Sequence, residues 1–372
     1  MSPQLPHPEL ADAWAAARMP PAVLHLDSAA ASRSSRAVLE AVRVHLELEA
    51  SAGAYVAAAH AEPALTRAAA VVAALMGRAP ADVAFVESAE AGLAALLASW
   101  RLPAGSTVLV SPGEYGPNLR RFALHGLSAE PMAAADAVGH VDLDNLRTRL
   151  AAQAPTLVHL CQLGSHRGVV QPAAEVVALC RAAGVPVVVD AAQALGHVPC
   201  AHDADAVYAT SRKWLAGPRG VGVLAVRPSL AQQLTRPVVE LQSAEAFVAG
   251  RVGLGVALAE HLAAGPQRVH SRLTALGALT RTMLGGVAGW RVVEPVPEPS
   301  ATTTLAPPPG WADARVAAAR EQLLAEHRVL VTVAEPLRAP FEANSSVLRV
   351  SPHLDTGQAE LERLALALAA VS

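Results

Sequence analysis

A chain of 372 residues is too long for one small core and suits two domains. Although 52% of it is hydrophobic, no apolar run approaches the roughly 18 residues of a membrane span, which excludes a transmembrane helix. The net charge of -3 and the lack of a long basic run exclude the electrostatic footprint of a nucleic-acid binder and leave small-molecule chemistry.

Residues 1–21 are expected to form an N-terminal segment. Met1 to Leu10 have neither a basic flank nor an apolar stretch, so no secretory signal is expected and the setting is read as cytoplasmic. From Ala22 onward, short Val-rich runs alternate with Ala-rich stretches of helical period, the pattern of an α/β fold with a mostly parallel sheet under helices. Seven strands are expected to begin near Val83, Thr107, Ala129, Thr156, Val185, Ala206 and Gly222. Crossover helices are expected over 90–100, 144–153 and 173–183, the last closed by Gly184. A long helical stretch over 253–284 completes a large domain, 22–284. Beyond it, Pro-rich connections and short apolar runs predict a smaller C-terminal α+β domain, 285–372, ending in a helix over 357–371. Cys161, Cys180 and Cys200 lie in or beside apolar segments and read as reduced core thiols.

The chemistry is concentrated at two strand ends. Of 29 Lys and Arg residues, Lys213 is the only lysine. A guanidinium replaces an ammonium on a solvated surface but cannot deprotonate to the free amine that attacks an aldehyde, so a lysine kept alone points to amine chemistry. The run 185–193 delivers Asp190 and Gln193 from its carboxyl end, where open α/β sheets bind ligands. The next strand ends in Thr210-Ser211-Arg212-Lys213-Trp214, ahead of a glycine-rich turn, 217–222. A carboxylate beside an amine suits pyridoxal phosphate: the carboxylate keeps the ring nitrogen protonated and the lysine forms the Schiff base. Phosphate needs N–H, hydroxyl or cationic donors, and Ser88 and Ala89 at a helix start, with Thr210 and Arg212, offer them. Each residue has a plainer reading alone, Asp190 as a turn cap and Ser88 as an ordinary N-cap.

Asp190-Ala-Ala-Gln193 and Ser211-Arg-Lys213-Trp-Leu-Ala-Gly217-Pro218-Arg-Gly220 resemble the central motifs of the cysteine desulfurase and class V aminotransferase family of fold-type I pyridoxal enzymes. Leu26-Asp-Ser-Ala-Ala30, Gly168-Val-Val-Gln-Pro172 and Leu348-Arg349-Val-Ser351 extend the likeness almost from end to end. The resemblance implies that Lys213 carries the cofactor, Asp190 partners the ring nitrogen, Gln193 donates to the ring hydroxyl oxygen and Arg349 grips the substrate carboxylate. It places Tyr115 where the family has a ring-stacking His, and Arg212 where a phosphate-site His is usual. Arg251 stands near the position of a Gly-Thr pair that the neighbouring subunit contributes, which implies a homodimer with Arg251 as a candidate to cross the interface. A solvated surface arginine is the alternative.

A desulfurase needs a nucleophilic Cys on a loop before the carboxylate-binding arginine, and 329–344 contains none. His197, Cys200 and His202 are too few and too irregular for a zinc site, so no metal is expected. The segments 87–90, 114–118, 163–168, 209–214 and 248–251 together resemble the hercynylcysteine sulfoxide lyase branch of ergothioneine biosynthesis. That branch implies an amino acid sulfoxide substrate, β-elimination to pyruvate and ammonia, and an external reductant for the sulfenic acid product. His166 and Arg167 are then candidates to meet the carboxylate of the hercynine end, or simply loop residues facing water. A class V aminotransferase, or a desulfurase-like enzyme acting on another amino acid, is the enzymatic alternative. The presence of both Lys213 and Asp190 speaks against a binding-only relative.

Overall fold

The computed structural model describes residues 5–243 and 245–372. Its centre is a seven-stranded sheet of β1 (Val83–Val86), β2 (Thr107–Val110), β3 (Ser128–Pro131), β4 (Leu157–Cys161), β5 (Val187–Asp190), β6 (Ala206–Thr210) and β7 (Gly222–Val226), in the spatial order β1-β7-β6-β5-β4-β2-β3. Neighbours are parallel except β7, which runs antiparallel to both β1 and β6. The inner strands are buried on both faces, which is why they read as continuous Val, Ala and Leu runs rather than as alternation. β3 lies at the edge, is mostly exposed, and ends in a proline that a central strand would not accept.

Helices cover both faces. One core layer packs Val72, Met76 and Leu254 against Leu160, Val187, Val189 and Val207; the other packs Leu93, Leu96 and Phe122 against Val110, Val188, Tyr208 and Leu224. The crossover helices run Ala89–Ser99, Leu143–Ala152 and Ala173–Ala182, each within one residue of its expected bounds at either end. The expected helix over 253–284 is two helices, Val248–Ala264 and Pro266–Leu284. Gly265, at φ 82, breaks the chain between them, and Pro266 opens the second where its missing N–H costs nothing.

The C-terminal part holds a four-stranded antiparallel sheet, Thr332–Ala334, Val347–Val350, Thr303–Ala306 and Arg291–Val292 in that order, with helices Asp313–Ala325 and Gln358–Ala370 packed on it. One boundary differs from expectation. Leu24–His25 pairs in parallel with Val329–Leu330, and Leu24 and Leu26 lie in the core around Trp290, Leu305 and Leu348. The first strand after residue 21 therefore belongs to the C-terminal unit, because its apolar side chains find their partners there.

Candidate active site

The sheet topology brings one set of strand ends together. β2, β4, β5 and β6 all finish at the same edge, and antiparallel β7 begins there, with Gly222 paired to both Thr210 and Val86. A β-carbon on Gly222 would stand 2.6 Å from the Ser88 carbonyl carbon and 2.7 Å from the Ala209 oxygen, so glycine is required for the Ser88 turn to close on β6. A cavity of about 380 Å³ opens at this edge. Its lining includes Ser88, Ala89, Tyr115, Asp190, Gln193, Thr210, Arg212 and Lys213, residues that are up to 125 positions apart in the chain.

Asp190 ends β5 and is 7% exposed. Its Oδ2 accepts from Asn118 Nδ2 at 3.0 Å and from the Tyr208 hydroxyl at 3.1 Å, and its Oδ1 accepts from the Ala192 amide at 2.8 Å. Three donors converge on this side chain and fix its orientation, so that it meets a facing ring nitrogen as an acceptor. Gln193 receives the Trp214 indole N–H at 3.2 Å and gives one amide hydrogen to the Ala29 oxygen at 2.9 Å. Its second amide hydrogen is free for a ligand.

Lys213 follows β6 through a turn in which Ser32 N–H binds the Arg212 carbonyl and Gly217 N–H binds that of Ser211. Trp214, buried and stacked on His197 at 3.7 Å between ring centroids, anchors this turn. Burial pushes the Lys213 ammonium down to about 7; Asp190 works against the shift, and Arg212, Arg349 and Arg338 add to it. A large fraction of the amine is therefore free at neutral pH, as attack on an aldehyde requires.

At the opposite end Ser88 caps helix Ala89–Ser99, its hydroxyl accepting from Ala91 N–H at 3.0 Å. The first-turn amides of such a helix lack carbonyl partners and attract an anion. Thr210, Arg212 and Arg219 line the same cavity. Amine, carboxylate, amide donor and anion cradle together fit pyridoxal phosphate: Lys213 would bind it, Asp190 and Gln193 would face the ring, Ser88, Ala89, Thr210 and Arg212 would take the phosphate, and Tyr115 would lie beside the ring.

Four expected substrate residues lie outside this lining. Arg349 is 1% exposed just beneath it, bonded to the Ser165 carbonyl and at 3.3 Å to Asp27 Oδ1, with its Nε unpartnered. Burial lowers its guanidinium to about 10, opposed by Asp27, and it stays charged. His166 and Arg167 turn away to Glu342, at 2.9 and 2.6 Å, rather than facing water. Arg251 is 8% exposed, bonded to the Phe85 carbonyl at 3.3 Å, and is not a solvated surface arginine in this chain. Conversely, Asn118, Arg219 and Arg338 line the cavity without having been singled out. Asn118 was legible as the last residue of the segment 114–118 and sits in the first turn of helix Gly116–Leu124; Arg338 carried no local signal.

A family model described as aminotransferase class-V matches residues 24–364. A probable hercynylcysteine sulfoxide lyase of Mycobacterium tuberculosis is 50% identical over 98% of this chain and 94% of its own length. A cysteine desulfurase from Escherichia coli superposes with a TM-score of 0.83 at 20% identity, covering 97% of this chain and 98% of that one. A cystine C-S lyase, solved with its product cysteine persulfide, gives 0.82 at 18% identity, covering 94% and 97%.

Proposed function

The chain belongs to the class V aminotransferase family, and we propose that within this family of pyridoxal phosphate enzymes it is a carbon–sulfur lyase acting on S-(hercyn-2-yl)cysteine S-oxide. The observation that carries the reading is the 50% identity, sustained over nearly the whole of both chains, to the probable lyase of that substrate. When bound, the cofactor supplies the electron sink that makes the substrate Cα–H acidic. The chain supplies the rest. The Lys213 amine takes the Cα proton, Asp190 keeps the ring nitrogen protonated, and Arg349, buried behind the Ser165 segment, is the cation for the α-carboxylate.

The Cα–H and Cβ–S bonds break, and sulfur departs with its electron pair as a sulfenate. The three-carbon remainder takes up water and leaves as pyruvate and ammonia. An external reductant of thiol type then converts the sulfenic acid to ergothioneine. Arg338, on the loop where a desulfurase would carry its cysteine, supports a lyase reading: it offers the cavity mouth a cation for the hercynine carboxylate instead of a nucleophile. His166 and Arg167, tied to Glu342, would shape that wall behind it.

No described helix is long and apolar enough to cross a membrane. A cytoplasmic homodimer, with Arg251 near the interface, completes the proposal. The test is pyruvate release from the sulfoxide by purified protein without any keto acid. A requirement for a keto acid acceptor would assign an aminotransferase instead.

A further inference from the structure

Behind Asp190, bordered on the cavity side by Asn118, lies a closed ring of polar side chains, of which the elimination does not use Glu114, His159 and Tyr208. Glu114, His159 and Tyr208 are 0% exposed and Asn118 is 1% exposed. His159 Nδ1 meets Glu114 Oε2 at 2.8 Å, and His159 Nε2 meets the Tyr208 hydroxyl at 2.8 Å. Tyr208 continues to Asp190, and Asn118 Nδ2 closes the ring by bonding both Asp190 Oδ2 and Glu114 Oε1, at 3.0 and 2.9 Å.

The proton positions follow from the donors available. Glu114 Oε1 also accepts from the Tyr115 amide at 2.9 Å and from the Cys161 thiol at 3.0 Å. An oxygen with three donors aimed at it belongs to a carboxylate, so the hydrogen between Glu114 and His159 sits on Nδ1. Asn118 spends both amide hydrogens on the two carboxylates. With Asp190 an acceptor, the Tyr208 hydrogen points to Asp190, and the Tyr208 oxygen must accept one from His159 Nε2. Both ring nitrogens of His159 are then protonated.

The other groups facing His159 agree. Burial alone would neutralise His159, but Glu114 and the charge of Asp190 raise its pKa; burial likewise opposes Glu114, and His159 holds it down. Cys161 and Tyr208 are pushed well up by burial and the adjacent carboxylates, so both remain donors. Phe122, edge-on at 5.1 Å between ring centroids, closes the last side without a charge. Glu114, His159 and Cys161 are close enough together to suggest a metal site, but their atoms already face one another as donors and acceptors.

We propose that Glu114, His159 and Tyr208 are positioning residues that form a buried charge relay, holding Asp190 as an oriented, ionised acceptor for the proton on the cofactor's ring nitrogen. Two carboxylates and one imidazolium leave a single net negative charge in a dry interior, which one ring N–H cation neutralises. The proposal rests on Asp190 being the ring partner and is independent of the sulfur substrate.

The first test uses wild-type apoprotein labelled with nitrogen-15 in histidine. Two protonated nitrogens are expected on His159 at pH 7.5, whereas a neutral ring would overturn the relay. The second uses Tyr208→Phe, which removes one oxygen and leaves Asp190 with its other two donors. In the loaded variant the visible band of the cofactor should titrate at a pH shifted by at least about half a unit, and cofactor should bind roughly tenfold more weakly. A visible titration and affinity identical to wild type would overturn the proposal. Asp190→Asn separates the two readings: if it leaves the visible titration unmoved, Asp190 is not the ring partner and the relay has lost its object, even with a charged His159.

Discussion

A β-carbon added to Gly116 would stand 2.1 Å from the carbonyl oxygen of Leu337. The turn after β2 and the segment Pro336–Arg338, more than 200 residues later, therefore touch backbone to backbone, and the contact carries Arg338 to the cavity mouth. Gly116→Ala should push that segment outward and weaken substrate binding while sparing turnover at saturation. Arg338→Ala should have the same sign, with KM rising roughly 10- to 100-fold for loss of a charge-assisted contact worth about 1.5–3 kcal/mol. Steady-state kinetics of pyruvate release decide it; an unaltered KM in Arg338→Ala removes this arginine from the substrate site.

The depressed Lys213 predicts a pH dependence with a definite sign. Only the free amine attacks the cofactor's aldehyde, and the folded amine loses its proton through about pH 7. Capture of pyridoxal phosphate by apoprotein, followed as growth of visible absorbance, should rise with pH through about 7 and level off roughly one unit above. A lysine at its ordinary value would leave the rate climbing beyond about pH 9. Lys213→Arg should develop no such band at any pH, because a guanidinium cannot replace the amine.

Arg349 is the residue proposed for the α-carboxylate, and replacing it tests whether charge alone suffices there. Its fork bonds Ser165 and Asp27 with Nε left over. Arg349→Lys keeps the charge but cannot serve three directions, so kcat/KM should fall by about 2 kcal/mol, near 30-fold. The measurement is a comparison of kcat/KM for the two proteins per cofactor-loaded subunit. Equal values would place the carboxylate grip on another residue.

How much was legible beforehand depended on whether the signal was local. The valine run into Asp190 marks a doubly buried strand by composition, and Lys213 stands out as the lone lysine. Strand direction is not encoded in such a run: β7 reads like the parallel strands of the sheet, yet its reversal sets Gly222 beside Ser88. His159 and Tyr208 were hidden for a related reason, since polar residues inside apolar strands acquire meaning only when neighbouring strands align them. The break at Gly265-Pro266 was a visible punctuation mark that the helical period on either side outweighed. Leu24 and Arg338 depend on contacts across some 300 and 200 residues, which no local pattern records.

The last prediction separates elimination from thiol attack on sulfur. Changing Cys161, Cys180 and Cys200 together to Ala should leave pyruvate release from the sulfoxide intact. Cys180 and Cys200 are buried, and burial raises both thiols to about 12, so neither offers a thiolate near neutral pH. Cys161 lines the cavity, but burial and the carboxylates of Glu114 and Asp190 push its pKa well up. Its hydrogen points to Glu114, which makes it a donor and a poor nucleophile. The substitutions remove three buried sulfurs, so a loss of stability through small cavities is expected, about 1 kcal/mol at each site. Turnover is therefore compared per folded, cofactor-loaded subunit. If the loaded triple variant is inactive and restoring one cysteine recovers turnover, sulfur leaves by thiol attack and the elimination reading fails.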